Sequence, residues 1–116
     1  MHEASLAGGI LQLVEDAARR ENFRRVSLLR IEVGQLANVE LTALQFSLTA
    51  IAPGTVLHDA QFEFAQPPGQ AWCMACSVTV PMPERGTSCP HCGGYQLQAT
   101  AGTSLRVIDM LVQDDI

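Results

Sequence analysis

The chain carries the sequences CMAC at residues 73–76 and CPHC at residues 89–92, which together contain all four of its cysteines. Two residues between the cysteines let both thiolates of a pair lie on one tight turn and reach a single ion from the same side. Two such turns that face each other supply a tetrahedron of sulfur ligands. The spacing therefore predicts a structural Zn(II) site, whose four ligands would be Cys73, Cys76, Cys89 and Cys92.

Two other uses of these cysteines remain open from the residues alone. The second pair is followed by Gly93, as in one turn of a rubredoxin iron site, but the first pair is followed by Ser77, which favours zinc over iron. A dithiol redox motif would need only one pair and leaves the other unexplained. A site closed by four thiolates has no open coordination position, so zinc here predicts a structural role and not catalysis.

The composition argues against several classes of function. The 116 residues are enough for one domain with a modest core. The formal net charge is -5 and the chain contains no lysine, so nucleic acid is not expected as a partner. No apolar run approaches the roughly 20 residues of a membrane span, and the first residues lack the basic and apolar regions of a secretory signal. We therefore expect a cytoplasmic protein, in which thiols stay reduced and paired cysteines bind metal.

Hydrophobic periodicity predicts two helices and three strands. Residues 4–21 and 39–51 have apolar positions at helical spacing, and residues 26–33, 55–64 and 104–112 alternate as strands do. We expect a small two-layer α/β domain in which two helices pack on a three-stranded sheet. The predicted core positions of the helices, with Asn38 as the N-cap of the second, are Leu6, Ile10, Leu13, Val14, Ala17 and Ala18, then Leu41, Leu44, Leu48 and Ile51.

The cysteine segment lies between the last two predicted strands, so it is predicted to be an insertion. Residues 1–65 and 104–116 would form the α/β domain, and residues 66–103 would form a zinc-ribbon-like module. The inserted segment has few large apolar residues, so a metal must stand in for a core. Structural zinc can supply about 10–16 kcal/mol of apparent binding free energy, which becomes folding free energy.

The first three residues, Met1-His2-Glu3, form a second candidate metal site. The α-amine of Met1 and the amide nitrogen of His2 can close a five-membered chelate ring, and that amide and the His2 imidazole can close a six-membered ring. The amide of Glu3 can complete a square plane of nitrogens, which favours Ni(II) or Cu(II) over zinc. A histidine at position 2 also arises by chance, so this pattern gains weight only in combination with the rest of the chain.

The other histidines and the remaining polar residues suggest no catalytic site. His58 lies on the apolar side of a predicted strand, where a hydrogen-bonded structural role is expected, and His91 is expected to face solvent between two metal ligands. We find no Ser/His/Asp arrangement, phosphate-binding loop or pair of carboxylates, and therefore expect that the protein is not an enzyme. From the residues alone, a zinc-ribbon adaptor that binds a protein partner and carries no second metal is the alternative to a nickel carrier.

Taken together, these motifs resemble the HypA/HybF family of hydrogenase nickel-incorporation proteins. The resemblance covers essentially the whole chain with its motifs in order, and it implies a metallochaperone that carries Ni(II) transiently and holds Zn(II) as a structural ion. It implies that His2 is the essential nickel ligand, that Met1 and Glu3 contribute main-chain atoms, and that Glu40 is an acidic ligand or neighbour. The segments that carry it are Met1-His2-Glu3 with Ser5-Leu6, Val33-Gly34-Gln35-Leu36, Val39-Glu40 with Leu44 and Phe46, and the two cysteine pairs.

The resemblance also implies partners. These are a HypB-type GTPase and the large-subunit precursor of a [NiFe] hydrogenase, and in some organisms the urease maturation system, with the protein itself a monomer or a homodimer. The sequence departs from the family at Ala37, where serine is usual, and at Leu41, where a proline often follows the glutamate. Both positions leave the metal-binding residues intact.

Overall fold

Two helices and six strands account for the regular structure of the residues described by a computed structural model, which are 2–113. The predicted nickel ligand Met1 and residues 114–116 lie outside the described residues. The elements are α1 (Glu3–Glu21), β1 (Arg25–Val33), α2 (Leu41–Ile51), β2 (Gln61–Ala65), β3 (Gln70–Cys73), β4 (Val78–Pro81), β5 (Leu97–Ala101) and β6 (Leu105–Gln113). The strands form two three-stranded sheets with the orders β2-β1-β6 and β4-β3-β5. This mixed α/β architecture, with two helices and a four-cysteine module, confirms the predicted fold class.

The chain divides into two compact units. The first, which we call the helical unit, consists of the described residues of Met1–Ile31, Val39–Glu63 and Val107–Ile116. The second, which we call the cysteine unit, consists of Glu32–Asn38 and Phe64–Arg106. The cysteine unit therefore contains the whole predicted insertion and, in addition, a short segment that precedes α2 in sequence.

Helix α1 matches its predicted range, but its buried face is rotated from the predicted one. Leu13, predicted to be buried, is 51% exposed, whereas the unpredicted Ala7 is fully buried. Successive residues lie about 100° apart around a helix, so the stripe that includes Val14 turns Leu13 toward solvent. Leu6 and Ala18 are half-buried. The buried residues of α1 are Glu3, Ala7, Ile10, Val14 and Ala17.

The N-cap of α2 is Glu40 and not Asn38 as predicted. Glu40 has an extended backbone, and its carboxylate accepts a hydrogen bond from the backbone N–H of Ala43 at 3.2 Å. Asn38 adopts a left-handed conformation with φ 59° and turns the chain two residues earlier, a role that asparagine tolerates well. The predicted core of α2 is confirmed at Leu44 and Leu48, which are fully buried.

The predicted strand at residues 55–64 begins only at Gln61, because residues 55–60 form turns. The hydroxyl of Thr55 donates to the carbonyl of Ala52 at 2.7 Å and accepts from the N–H of Leu57 at 3.1 Å, which closes a turn. Leu57 is fully buried and the imidazole of His58 is half exposed, the reverse of the predicted alternation. The other two predicted strands are confirmed as β1 and β6.

Residues 32–38 belong to the cysteine unit because their backbone is bonded into it. The N–H of Leu36 donates to the carbonyl of Gly102 at 2.7 Å, and the side-chain oxygen of Gln35 accepts from the N–H of Gly69 at 2.7 Å. A Cβ added at Gly34 would overlap the carbonyl of Gly102, so only glycine permits this close approach. Leu36 then completes a buried apolar cluster with Ala71 and Met82.

In the helical unit, the buried carboxylate of Glu3 links the starts of the two helices. Its Oε2 accepts a hydrogen bond from the backbone N–H of Glu40 at 3.0 Å. Hydrogen bonds from the backbone of Glu40 and of Glu3 itself hold the pKa of the Glu3 carboxyl below its ordinary value. The N-terminus of α1 is thus tied to the N-cap of α2.

We expect Leu44→Ala to lower the free energy of unfolding by about 2–5 kcal/mol, because it removes a fully buried side chain and leaves a cavity. Leu13→Ala is the matched control, and we expect it to change stability by about 0.5 kcal/mol or less, since Leu13 is half exposed. Equilibrium urea unfolding followed by far-ultraviolet circular dichroism measures both. Equal losses in the two variants would contradict the burial pattern described above.

We expect Glu3→Gln to flatten the dependence of stability on pH in mildly acidic solution. The folded pKa of Glu3 lies below the unfolded one, so its carboxylate stabilises the fold fully above the unfolded pKa, and this contribution is lost as pH falls through the folded pKa. The difference in thermal midpoint between wild type and Glu3→Gln should therefore shrink between about pH 6 and pH 3. Glu21→Gln, which removes an exposed carboxylate from the same helix, is the control for the loss of one charge.

Candidate metal centre

The structure brings the four predicted cysteine ligands together in the cysteine unit. Their Sγ atoms all lie within 4.8 Å of one another, and those of Cys73 and Cys92 are 3.8 Å apart. A tetrahedral zinc ion with Zn–S bonds of about 2.3 Å has sulfur–sulfur edges of about 3.8 Å. The four thiols therefore fit a tetrahedral ion of this size. Among residues 2–113, no other group of three or more His, Cys, Asp or Glu side chains is arranged to hold a metal.

The two cysteine turns repeat one local structure. In the first, the N–H of Ser77 donates to the carbonyl of Cys73 at 2.8 Å, and in the second the N–H of Gly93 donates to the carbonyl of Cys89 at 2.8 Å. Ser77 has a φ of 55° and Gly93 a φ of 74°, so each turn closes with a residue in the left-handed region. Because the sequence spacing sets this geometry locally, the site could be predicted without knowledge of the fold.

Backbone N–H groups point at the sulfur atoms. The N–H of Cys76 lies 3.4 Å from the Sγ of Cys73, that of His91 lies 3.4 Å from the Sγ of Cys89, and that of Gly94 lies 3.4 Å from the Sγ of Cys92. Such donors stabilise negative charge on sulfur. They therefore favour the thiolate form that a metal ion requires.

The thiols affect one another strongly. Backbone hydrogen bonds, from Cys92 first and also from His91, lower the pKa of Cys89 to about 6. Hydrogen bonding with Cys92, together with burial, raises the pKa of Cys76 to about 12. One thiol thus ionises readily while a neighbour resists, and thiolates this close would also repel each other. A bound dication removes that opposition, so the donor set suits a metal ion better than four free thiols.

The sulfur atoms are part of the small core of this unit. Cys73, Cys89 and Val80 form a buried cluster, against which the half-buried Cys76 and Leu97 pack. Cys73 lies at the end of β3, where it pairs with Val78 of β4 and Leu97 of β5. Two of the four predicted ligands are therefore as buried as any apolar core residue.

The structure also brings together three of the residues predicted at the N-terminal site. His2 is the N-cap of α1, and its carbonyl accepts from the N–H of Leu6 at 2.9 Å. The side chain of His2 is 54% exposed, and its Nδ1 lies 3.4 Å from the Oε2 of Glu3. That same Oε2 accepts from Glu40, whose own carboxylate is exposed and caps α2. His2, Glu3 and Glu40 thus lie next to one another at the starts of the two helices.

The sequence predicts main-chain ligands from Glu3 but no role for its side chain. A signal for it exists in the pattern of α1. Glu3 continues the buried stripe of Ala7 and Ile10 toward the N-terminus, and a carboxylate at a buried position needs a hydrogen-bond donor. The donor comes from Glu40, 37 residues along the chain, and sequence spacing alone does not reveal it.

The remaining histidines do not join either group. His58 lies in the turns before β2, half exposed, with its Nε2 3.4 Å from the Oδ2 of Asp59. His91 is exposed in the second cysteine turn, as predicted. Within the part of the chain that the structure describes, no helix is long and apolar enough to cross a membrane.

Comparison with solved structures supports the fold. The solution structure of the Ni metallochaperone HypA from Helicobacter pylori matches with a TM-score of 0.71 at 16% sequence identity, covering 99% of this chain and 100% of that one. A second HypA solution structure matches with a TM-score of 0.71 at 15% identity, over 99% and 98% of the two chains. At these identities the likeness shows a shared fold.

Comparison of sequences shows the family. A family model described as hydrogenase/urease nickel incorporation, metallochaperone, HypA matches residues 1–112. The hydrogenase maturation factor HypA of Polaromonas naphthalenivorans is 70% identical over 115 residues, 99% of this chain and 100% of that protein. The factor of the same name from Cupriavidus necator is 63% identical over 114 residues, 98% of this chain and 96% of that protein. This chain therefore belongs to the HypA family of nickel-incorporation metallochaperones.

Proposed function

We propose that this protein binds Ni(II) at its N-terminus and delivers it for the maturation of a [NiFe] hydrogenase. The observation that carries the proposal is the position of His2, an exposed imidazole at the first turn of α1 beside Glu3 and Glu40. In a chain of this family, an accessible imidazole at such a position offers a nickel ion a place to bind and to leave. The proposed nickel site comprises Met1, His2, Glu3 and, as an acidic neighbour or ligand, Glu40.

The start of a helix suits this chemistry. The first backbone N–H groups of an α-helix have no intrahelical acceptor, so the amide nitrogens of His2 and Glu3 can bind nickel without breaking helical hydrogen bonds. The amine of Met1 and the Nδ1 of His2 would complete a square plane of nitrogens, the arrangement that Ni(II) favours over zinc. Because nickel is the cargo, a site with few and exposed ligands would allow the ion to be released as well as bound.

Nickel competes with protons for its nitrogen ligands. The Nδ1 that would close the chelate ring lies 3.4 Å from the Glu3 carboxylate, where it would carry a proton when the imidazole is charged. Binding of nickel displaces that proton and the protons of the amides. One carboxylate oxygen of Glu40 accepts the N–H of Ala43 and caps α2. The other oxygen would be available to an incoming nickel ion. Nickel affinity should therefore fall as the pH is lowered.

We further propose that the four cysteines hold Zn(II) as a structural ion. The tetrahedral fit of the sulfur atoms, the N–H groups aimed at them and the scarcity of other core residues in the cysteine unit support this. The closed coordination sphere leaves no position for a substrate, so we propose a carrier and not an enzyme. From its membership of the family, we also propose that its partners are a HypB-type GTPase and the precursor of a hydrogenase large subunit, met in the cytoplasm.

We expect His2→Ala to weaken nickel binding by about tenfold or more, because it removes the one side-chain nitrogen of the proposed plane. Isothermal titration calorimetry of untagged, zinc-loaded protein measures the affinity. His58→Ala is the matched control, since it removes another half-exposed imidazole of the helical unit, and it should bind nickel as the wild type does. Equal affinity in wild type and His2→Ala would sink the nickel proposal and favour an adaptor without a second metal.

A peptide extension before Met1 should have the same effect as His2→Ala, since it converts the α-amine into an amide. We expect an N-terminally tagged protein to lose nickel affinity and to regain it when the tag is cleaved back to Met1. A C-terminal tag is the control. Nickel bound equally well by the tagged form would show that the amine is not a ligand.

We expect Cys76→Ser to abolish stoichiometric zinc binding and to unfold the cysteine unit, because zinc supplies much of its folding free energy. His91→Ala is the matched control, since it changes an exposed non-ligand in the other cysteine turn. Zinc content by inductively coupled plasma mass spectrometry and amide NMR spectra report the two effects. A Cys76→Ser protein with one zinc per chain and unchanged spectra would contradict the proposed role.

A further inference from the structure

The four sulfur ligands differ sharply in exposure. Cys73 and Cys89 are buried and Cys76 is half-buried, whereas Cys92 is exposed to solvent. A zinc-bound thiolate remains a nucleophile, and its reactivity depends on access. With two ligands buried, one half-buried and one exposed, the site is most accessible to a small oxidant at Cys92.

The sequence explains why Cys92 is open. Each cysteine turn is followed by two residues, Ser77-Val78 in the first turn and Gly93-Gly94 in the second. A Cβ added at Gly94 would lie 3.4 Å from the Sγ of Cys92, so a side chain at residue 94 would cover part of this sulfur. In the first turn, Val78 stands at the equivalent position.

A second thiol is placed to react with Cys92 once it is oxidised. The Sγ of Cys73 lies 3.8 Å from that of Cys92 and is shielded from solvent. An oxidant in solution therefore reaches Cys92 first, while Cys73 can reach Cys92 from inside the cluster. The exposed Cys92 would therefore react with the oxidant, and the buried Cys73 would then form the disulfide with it.

We infer that Cys92 is the peroxide-reactive ligand of the zinc site and that its oxidation forms a disulfide with Cys73 and releases the ion. This rests on the zinc site proposed above. In the first step the thiolate of Cys92 attacks hydrogen peroxide, a sulfur–oxygen bond forms, the oxygen–oxygen bond breaks and hydroxide leaves. In the second step the thiolate of Cys73 attacks the sulfur of Cys92, the disulfide bond forms and a second hydroxide leaves.

The electrons balance over these two steps. The two sulfurs lose two electrons, and one peroxide is reduced to two hydroxide ions, which the buffer protonates to water. Zinc then retains only Cys76 and Cys89 and dissociates. Because the sulfur cluster is part of the core of the cysteine unit, oxidation by peroxide would unfold this unit. A dithiol reductant with added zinc would refold it.

The test uses full-length, untagged, zinc-loaded protein exposed to hydrogen peroxide. Zinc release is followed with a chromogenic chelator, and samples quenched with iodoacetamide are mapped for disulfides by mass spectrometry. We expect the first disulfide to join Cys73 and Cys92, with one zinc ion released for each disulfide formed. Dithiothreitol with zinc should then restore both the thiols and the bound metal.

Gly94→Ala tests the cause without removing any ligand. The added methyl group would lie 3.4 Å from the Sγ of Cys92, and the variant retains all four cysteines and the backbone N–H of residue 94. We expect it to slow zinc release several-fold. Gly9→Ala, where an added Cβ meets open space, is the control for the same substitution and should release zinc at the wild-type rate.

The outcomes separate this inference from the zinc proposal. Protein that binds no zinc at all would overturn the zinc site, and this inference with it. Zinc-loaded protein whose first disulfide omits Cys92, or joins it to Cys76 or Cys89, would overturn the inference alone. So would equal release rates in Gly94→Ala and Gly9→Ala.

Discussion

The hydrogen bond from the backbone of Glu40 to the buried carboxylate of Glu3 is the contact on which the candidate nickel site depends. It joins two helix starts that are 37 residues apart in sequence, and it fixes where His2 stands relative to Glu40. A carboxylate near helix N-termini also meets the positive end of each helix dipole. The same bond therefore stabilises the packing of the helices and assembles the residues to which we assign nickel.

The cysteine unit depends on a different kind of contact. Its apolar clusters are small, and one of them consists largely of cysteines. Van der Waals packing alone supplies little stability at this size, and four thiols at this spacing oppose one another when ionised. A bound dication would attract all four thiolates. Metal binding would therefore explain both why this unit lacks a larger core and why its sulfurs converge.

The parts that sequence predicted well are those governed by local geometry. The cysteine spacing predicted a cluster because two residues between ligands define a turn, whatever the rest of the fold does. The two helices were predicted because their apolar periodicity extends over several turns. The N-cap was placed at Asn38 because asparagine suits both caps and left-handed turns, and only the structure shows that it takes the second role while Glu40 caps α2.

Two errors came from patterns that more than one structure can produce. Alternating residues at 55–60 are typical of a strand, but the hydroxyl of Thr55 closes a turn there by bonding within the segment. In α1, Leu13 and Val14 are equally apolar, and the packing of neighbours decides which of them is buried. The role of the Glu3 side chain could not be predicted for a related reason. Its hydrogen-bond donor, the N–H of Glu40, is 37 residues away in sequence. Tertiary contacts determine the structure in each of these cases, and local residue propensities do not predict it.

The cysteine unit is discontinuous in sequence, and this limits how it can be inherited or transplanted. Leu36 fills its apolar cluster, and the Gln35 side chain accepts the N–H of Gly69, yet both residues precede α2 in the chain. A fragment or fusion cut at the cysteine segment alone would carry the metal ligands and leave behind part of their support. Recombination within this family should therefore preserve the pairing of residues 34–36 with residues 67–69 and 102, even where the cysteine turns themselves are exchanged.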